Sequence, residues 1–334
     1  NITLTDFYTR PRYSRTPEDF GTEKVNAISI GSQNILDSGN KFSNVFKFED
    51  KDQTTSALSG GRYILAKTNL ETATLSSKLT KKQRFNNLDL KSKLGIDFFN
   101  SSYRAIGNDW YQVKYHNIAS QNIIEPFGIF EFNHSSNEKI DYEIGFRYHY
   151  YELDTDNYTT KTSLSSDDRQ NYAWSLGANY NLQNGQKLFT HVSRAYRSPR
   201  LDEIISLIKP SPSHTHIKHQ YSNDIELGYE VNVERKRYKA SIFRTLIKNQ
   251  IYLNQTTLNN ENFDPSIHQG LEIEFDQSIN DKLNLKSNAT FIDSYFTKGI
   301  EKGNETSYVP RSSGNMSLNY TLDNFTDASL EYKY

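Results

Sequence analysis

Strict alternation of apolar and polar side chains is the feature that most constrains the fold of this chain. Between Ile140 and Tyr150 every second residue is apolar or aromatic, and the residues between them are charged, imidazole or glycine. Successive side chains of a strand point to opposite faces, so this segment requires an apolar medium on one face and water on the other. The pattern recurs at 87–98 and 172–182. It predicts half-buried strands, in either a soluble sandwich or a membrane barrel whose polar face lines the lumen.

The lengths of the predicted connections distinguish these two architectures. We predict about fifteen strands of about 10–13 residues, the length that a tilted strand needs to cross the hydrocarbon layer. Short turns are predicted at 34–40, 80–84, 133–138, 184–186, 232–235, 277–281 and 322–326, and long loops around 10–23, 50–60, 101–121, 155–170, 198–220, 254–266 and 298–308. Tight turns on one rim and extended loops on the other are typical of a transmembrane antiparallel β-barrel of the outer membrane.

Composition excludes several other classes of protein. The sequence has no run of about 18 apolar residues, the minimum for a transmembrane helix. With no cysteine, the 334-residue chain has no disulfide, thiolate metal site or cysteine nucleophile. A formal net charge of −1 gives no indication of a nucleic-acid partner. No GxSxG or HExxH motif is present and no Ser, His and Asp set stands out, so we expect no enzymatic activity.

One segment carries a resemblance to a known family. Residues 187–203 read KLFTHVSRAYRSPRLDE and contain an aromatic-Arg-x-Pro box followed by an acidic residue. The members of this box are Tyr196, Arg197, Ser198, Pro199 and Glu203. The chain resembles the TonB-dependent outer-membrane receptors, in which a strand ends at such a box and enters a long loop. Segments at 144–147 (IGFR), 222–228 (SNDIELG) and 270–274 (GLEIE) fit the same template in the same order, so the resemblance covers roughly 123–334.

This resemblance implies a 22-stranded barrel with an N-terminal plug in its lumen. Such a receptor imports a scarce nutrient, such as an iron–siderophore, haem, cobalamin or metal complex, and is driven by the TonB complex of the inner membrane. About fifteen strands are fewer than this fold requires. We therefore expect residues 1–334 to form a single β-barrel domain that is incomplete at both ends, with the plug and the TonB box outside the chain.

The implied partners are outer-membrane lipid, the TonB complex through the missing N-terminal region, and a metal chelate or haem as cargo. No intrinsic cofactor is expected. Two alternatives stay open from the residues alone: a passive porin-like channel, which needs no plug, and a soluble all-β binding domain.

The residues of the box have a structural interpretation. By alternation, Tyr196 is predicted to face lipid, and Arg197 to face the lumen, where carboxylates can pair with it. Pro199 cannot donate a ladder hydrogen bond and is predicted to end the strand. We interpret Tyr196, Arg197, Pro199 and Glu203 as residues that shape the entry into the loop rather than contact a ligand.

The same loop contains the candidate ligand site. Three of the eight histidines, His214, His216 and His219, lie within six residues in the sequence SHTHIKH. Imidazole is a suitable ligand for zinc, copper, nickel or haem iron, so this cluster is a candidate metal or substrate site. The alternative is a solvated loop in which the histidines are incidental, because no Glu or Cys within the window completes a tetrahedral set.

Overall fold

Antiparallel strands make up nearly all of the chain that the structure describes. This computed structural model describes residues 19–36, 39–59, 62–108, 114–134, 139–158, 162–165, 170–204, 217–254, 259–323 and 326–334. Its strands are β1 (Phe20–Ile35), β2 (Lys41–Ser59), β3 (Arg62–Phe85), β4 (Leu88–Asn108), β5 (Lys114–His134), β6 (Ile140–Asn157), β7 (Thr162–Ser165), β8 (Gln170–Asn181), β9 (Gln186–Arg197), β10 (Gln220–Val233), β11 (Lys236–Lys248), β12 (Ile251–Asn254), β13 (Asn259–Asn262), β14 (Ser266–Ser278), β15 (Leu283–Phe296), β16 (Ser312–Asp323) and β17 (Thr326–Lys333). The helix α1 (Leu201–Ile204) follows β9. No helix in the described ranges is long and apolar enough to cross a membrane.

The strands form a meander. A 15-stranded sheet follows the order of the chain, except that β7 pairs only with β6, and that β12 and β13 form a separate hairpin between β11 and β14. Every pairing is antiparallel, and among the described residues β1 and β17 each pair on one side only. The predicted all-β antiparallel architecture of about fifteen strands is confirmed.

The apolar face of this sheet is the exposed face. In β6 and β8 the register pairs Ile144 with Leu176 and Phe146 with Trp174. Phe146 is 52% exposed and Leu176 is 49% exposed, whereas on the opposite face His149 is 2% exposed. A soluble sandwich would bury the apolar face, so this arrangement is that of a barrel wall with its apolar side toward lipid. Ile140 and Leu227 share this face by register. The connecting pairs are Ile140–Tyr180, Leu176–Val192, Ile225–Val192 and Leu227–Thr190.

Strands of the N-terminal half are longer than predicted. β3 has 24 residues and β4 and β5 each have 21, whereas β8, β9 and β11 have the expected 12 or 13. Segments predicted as loops at 50–60 and 101–121 are therefore largely strand, and the turn predicted at 80–84 lies instead at Asn86, where φ is 50°. Beyond the hydrocarbon both faces meet water, so the ladder continues without alternation, and pattern alone does not distinguish it from a polar loop.

Short turns close the opposite rim. Asn184 and Gly185 between β8 and β9 have φ values of 59° and 69°, as a type I′ hairpin turn requires. A Cβ on Gly185 would lie 2.1 Å from the backbone oxygen of Asn232 near the end of β10, so glycine is needed there for space as well as for conformation. The long β9–β10 connection and the β12–β13 hairpin lie at the other ends of these strands. The predicted sorting of short and long connections is thus present around β8 to β14.

Candidate functional site

The box turns the chain inward at the end of β9. The Arg197 guanidinium binds the Glu203 carboxylate, which also accepts a hydrogen bond of 2.9 Å from the backbone N–H of Arg200. Pro199 is buried, and α1 inserts Leu201 and Ile204 into an apolar cluster. Their partners in that cluster lie on the inner face of β4, β5 and β6. They are Tyr103, Ala105, Tyr115, Ala119, Tyr151 and Leu153. The start of the loop is therefore packed against the inner wall.

The prediction that Tyr196 faces lipid is wrong. Its hydroxyl donates a hydrogen bond of 2.8 Å to the Glu125 carboxylate, and its ring lies 4.9 Å from that of His149, both inside the wall. The ladder between β8 and β9 ends with the pair Trp174–Arg194, two residues before Tyr196. Beyond that pair only β10 holds the strand, so the alternation of side chains is no longer imposed from both sides.

A buried polar network lies behind the box and connects four strands with the loop. Arg147 on β6 donates hydrogen bonds of 2.7 Å to Asp97 on β4 and 2.6 Å to Glu125 on β5. His149 contacts the other oxygen of Glu125 at 2.7 Å and the Ser198 hydroxyl at 2.8 Å. Ser198 also lies 3.0 Å from Nδ1 of His219, at the far end of the loop. We call the set Asp97, Glu125, Arg147, His149, Tyr196, Ser198 and His219 the box network.

The directions of these hydrogen bonds follow from the chemistry of the groups. An ionised carboxylate can only accept, so Nδ1 of His149 donates to Glu125. In a neutral His149 ring, Nε2 then accepts the Ser198 proton, and the Ser198 oxygen is left to accept from Nδ1–H of His219. Because Ser198 opens the loop and His219 closes it, their contact ties the two ends of the loop together and to β6.

Glu125, His149 and Ser198 are connected in the order of a hydrolase triad, although no such set stands out in the sequence. Here the oxygen of Ser198 is shared between two imidazoles, and Glu125 also binds Arg147 and Tyr196. These extra partners make the arrangement a continuous network that joins several strands rather than an isolated catalytic set.

The predicted histidine cluster falls partly outside the described residues. His214 and His216 are not described, so the three-imidazole metal site stays a prediction. His219 is 3% exposed and stacks edge-on against Tyr151, with ring centroids 4.9 Å apart. Within the described ranges, no group of three or more His, Asp or Glu side chains is arranged to hold a metal ion.

A cavity of about 660 Å³ lies between the box and the inner face of β2 to β5. Ser198, Arg200 and Asp202 line one side of it, and Lys51, Thr68 and Tyr103 line the other. Burial and the nearby Asp202 carboxylate raise the pKa of the Tyr103 phenol above its usual value, so its hydroxyl remains a neutral donor at physiological pH. The cavity thus combines several hydroxyl donors with two cations that are already paired, Lys51 with Glu23 at 2.5 Å and Arg200 with Asp202 at 3.5 Å. This lining is suitable for a polar ligand.

An antiparallel wall with an apolar outer face, a charge-paired inner face and long connections on one rim defines the class of transmembrane β-barrels. A family model described as the β-barrel of TonB dependent receptor-like proteins matches residues 2–334, and the chain belongs to this family. It is therefore a protein of the bacterial outer membrane, as are the receptors whose structures it resembles.

Several solved receptors share the fold. The ferric citrate transporter FecA in its unliganded form superimposes with a TM-score of 0.83 at 15% identity, over 99% of this chain and 52% of that one. The ferric-catecholate import receptor Fiu from K12 E. coli gives 0.75 at 13% identity, over 95% and 54%. The copper transporter OprC gives 0.69 at 13% identity, over 93% and 51%. This chain spans about half the length of these structures. No curated protein matches the sequence.

Proposed function

We propose that this chain is the barrel wall of a TonB-dependent receptor that imports a scarce nutrient, an iron–siderophore or another metal or haem complex. The observation that carries the proposal is the 660 Å³ cavity beside the box, on the rim with the long connections, where a ligand from outside first meets the receptor. Lys51, Arg200 and Tyr103 offer donors to an anionic chelate, which would replace the carboxylates of Glu23 and Asp202 as the partners of the two cations. Two of the matched receptors are named for ferric citrate and for ferric catecholates, and both ligands are anionic iron chelates.

In this proposal the partners are outer-membrane lipid, the metal chelate, and the TonB complex, which acts through a region outside this chain. The metal is cargo, and no intrinsic cofactor takes part. The box network holds the loop on the wall and has no catalytic role, and Tyr196, Arg197, Pro199 and Glu203 shape the entry into that loop. The loop 198–220 contacts the ligand, with His214 and His216 as additional metal-binding groups. His219, predicted from the sequence as the third, is 3% exposed and hydrogen-bonded to Ser198, so it anchors the loop instead. A passive porin-like channel would lack the energy dependence that this mechanism requires.

The topology that the proposal requires can be tested directly. Epitope tags placed in the 205–216 segment, or between β12 and β13, should be accessible to antibody on intact cells, because these connections lie on the extracellular rim. Tags at the Asn184–Gly185 turn, or at the Glu234 turn between β10 and β11, should be accessible only after the outer membrane is permeabilised. The opposite labelling would show that the barrel has the opposite orientation in the membrane.

Uptake by the full-length protein that contains this chain tests the ligand site. Replacing Lys51 and Arg200 together by alanine should reduce energised uptake of ⁵⁵Fe-labelled ferric citrate or ferric dihydroxybenzoate by about tenfold, because charge-assisted hydrogen bonds to the ligand are lost. The matched control is Lys47→Ala, on the same strand and face, whose ammonium lies 2.6 Å from Glu49 and which does not line the cavity. A second experiment replaces His214 and His216 by alanine and measures uptake with haem as the iron source.

Three results would contradict this proposal. Unchanged uptake in the Lys51 and Arg200 double variant would remove the cavity as the ligand site. Unchanged uptake of iron and haem in the histidine variant would make those imidazoles ordinary loop residues. Uptake that persists when the inner membrane is de-energised would favour the passive channel over TonB-dependent import.

A further inference from the structure

Three cations lie together on the outer face of β9 and β11, around the tyrosines of β8 and β10. Arg194, Arg244 and Lys248 share the face of Ile225 and Leu227, and we call them the outer basic cluster. The guanidinium carbon of Arg194 lies 4.6 Å from the ring centroid of Tyr172 and 4.1 Å from that of Tyr221. The Lys248 ammonium lies 5.6 Å from the same Tyr221 ring, so two cations converge on one aromatic side chain.

Within the described part of the chain, no carboxylate lies within ion-pair distance of the outer basic cluster. The hydrogen-bond acceptors of Arg194 are neutral, namely the Tyr172 carbonyl and the Asn171 amide. Cations on the inner face of the same strands are instead paired with carboxylates. These inner pairs are Lys187–Glu230, Arg237–Glu230, Arg237–Glu274, Lys239–Glu226 and Lys239–Glu274. The contrast concentrates positive charge on the outer face, which no carboxylate in the described ranges neutralises.

The height of the cluster on the wall locates it at a membrane interface. Below it on the same face lie the apolar residues Val192, Leu227 and Ile242, and Ile242 is 58% exposed. Level with it lie Tyr172 and Tyr221, which are typical of the aromatic girdle at the edge of the hydrocarbon. A cation on the lipid face is unfavourable at the midplane but tolerated at this level, where it can reach the lipid headgroups.

We propose that the outer basic cluster binds the headgroup of a phosphate-bearing lipid, whose acyl chains lie on the apolar band below it. The guanidinium groups of Arg194 and Arg244 provide planar donor pairs that fit phosphate oxygens, and Lys248 provides a point charge. Both tyrosine rings hold Arg194 in position, so little side-chain freedom is lost on binding. With the long connections outside the cell, this headgroup belongs to the outer leaflet. Charge complementarity selects the phosphate, and the adjoining apolar band selects a lipid rather than a soluble anion.

The test compares two lipids that differ only in phosphate. The full-length protein is inserted into phosphatidylcholine nanodiscs that contain a few per cent of a diphosphorylated glucosamine acyl lipid or its dephosphorylated form, and bound lipid is measured by native mass spectrometry. The parent should retain the phosphorylated form at least about tenfold better, as expected for several cations near one headgroup. The triple variant Arg194→Gln, Arg244→Gln and Lys248→Gln should lose this preference, and Arg244→Gln alone should weaken it.

The control removes the same charge at the opposite rim. Lys139, Lys236 and Lys282 lie by the short turns, and their triple replacement by glutamine should leave the preference unchanged. Equal retention of both lipids by the parent, or an unchanged preference in the cluster variant, would overturn the proposal. Displacement of the lipid by millimolar inorganic phosphate would also overturn it, since the site would then be one for a free anion. None of these measurements depends on transport, so failure here is separate from failure of the proposed function.

Discussion

Replacing Leu176 by arginine is expected to reduce the free energy of unfolding by about 2–4 kcal/mol, because the side chain faces lipid near the middle of the apolar band. Leu176 is 49% exposed and lies between Ile144 and Val192 on the same face. A guanidinium at this level cannot reach either interface without distorting the bilayer. Urea titration of the full-length protein in phospholipid vesicles, followed by tryptophan fluorescence, measures the difference.

The adjacent residue provides the control for this prediction. Ser175 points to the lumen, and Ser175→Arg places the same charge at the same height on the wet face, where water solvates it. We expect that variant to change the free energy of unfolding by less than about 1 kcal/mol. Equal destabilisation by the two variants would mean that both faces of the wall meet the same medium, which is incompatible with a transmembrane barrel.

Replacing Glu125 by alanine is expected to reduce the free energy of unfolding by about 3–5 kcal/mol, because it removes the central acceptor of the box network. Glu125 is mostly buried and receives donors from Arg147, His149 and Tyr196. Without it, Tyr196 and His149 lose their acceptor in a site that water does not readily reach, and Arg147 keeps only Asp97. The same vesicle titration gives the equilibrium cost, and limited proteolysis within 205–216 reports whether the loop is released.

An exposed ion pair serves as the comparison for Glu125. Glu49 contacts Lys47 at 2.6 Å, but the Lys47 side chain is 50% exposed, so Glu49→Ala should cost about 1 kcal/mol or less. Glu125→Gln keeps the shape and one acceptor oxygen and should fall between the two alanine variants. If Glu125→Ala is no more destabilising than Glu49→Ala, the network contributes little, and another contact must hold the loop on the wall.

The box network anchors the connection between β9 and β10 to the barrel wall. Its members come from β4, β5, β6 and β9 and from both ends of one long connection, so it fixes the entrance of that connection to the wall at a single place. The end of the connection is held a second time by β13, where the Asn262 side chain accepts from the backbone N–H of Lys218 at 2.8 Å and donates to its carbonyl at 3.0 Å. Both ends of the connection are therefore anchored to the wall.

Sequence alternation predicted the wall well because lipid imposes it directly. Ile144, Phe146 and Leu176 face outward as expected, since any residue on that face must be apolar within the hydrocarbon. The same rule fails where lipid is absent. The upper parts of β2 and β4 have water on both sides, and their polar composition was interpreted as loop although the backbone ladder continues to Ser59 and Asn108.

The sequence alone thus determined the fold class, the two faces, the sorting of the turns and the family box, because each depends on local periodicity or on a contiguous motif. Only the tertiary structure decided that Tyr196 turns inward, that Ser198 and His219 meet, and that Arg194 and Lys248 share Tyr221. Those contacts join residues from different strands, often far apart in the chain. Their geometry depends on strand register and on where each ladder ends, and neither quantity is encoded in the pattern of any single segment.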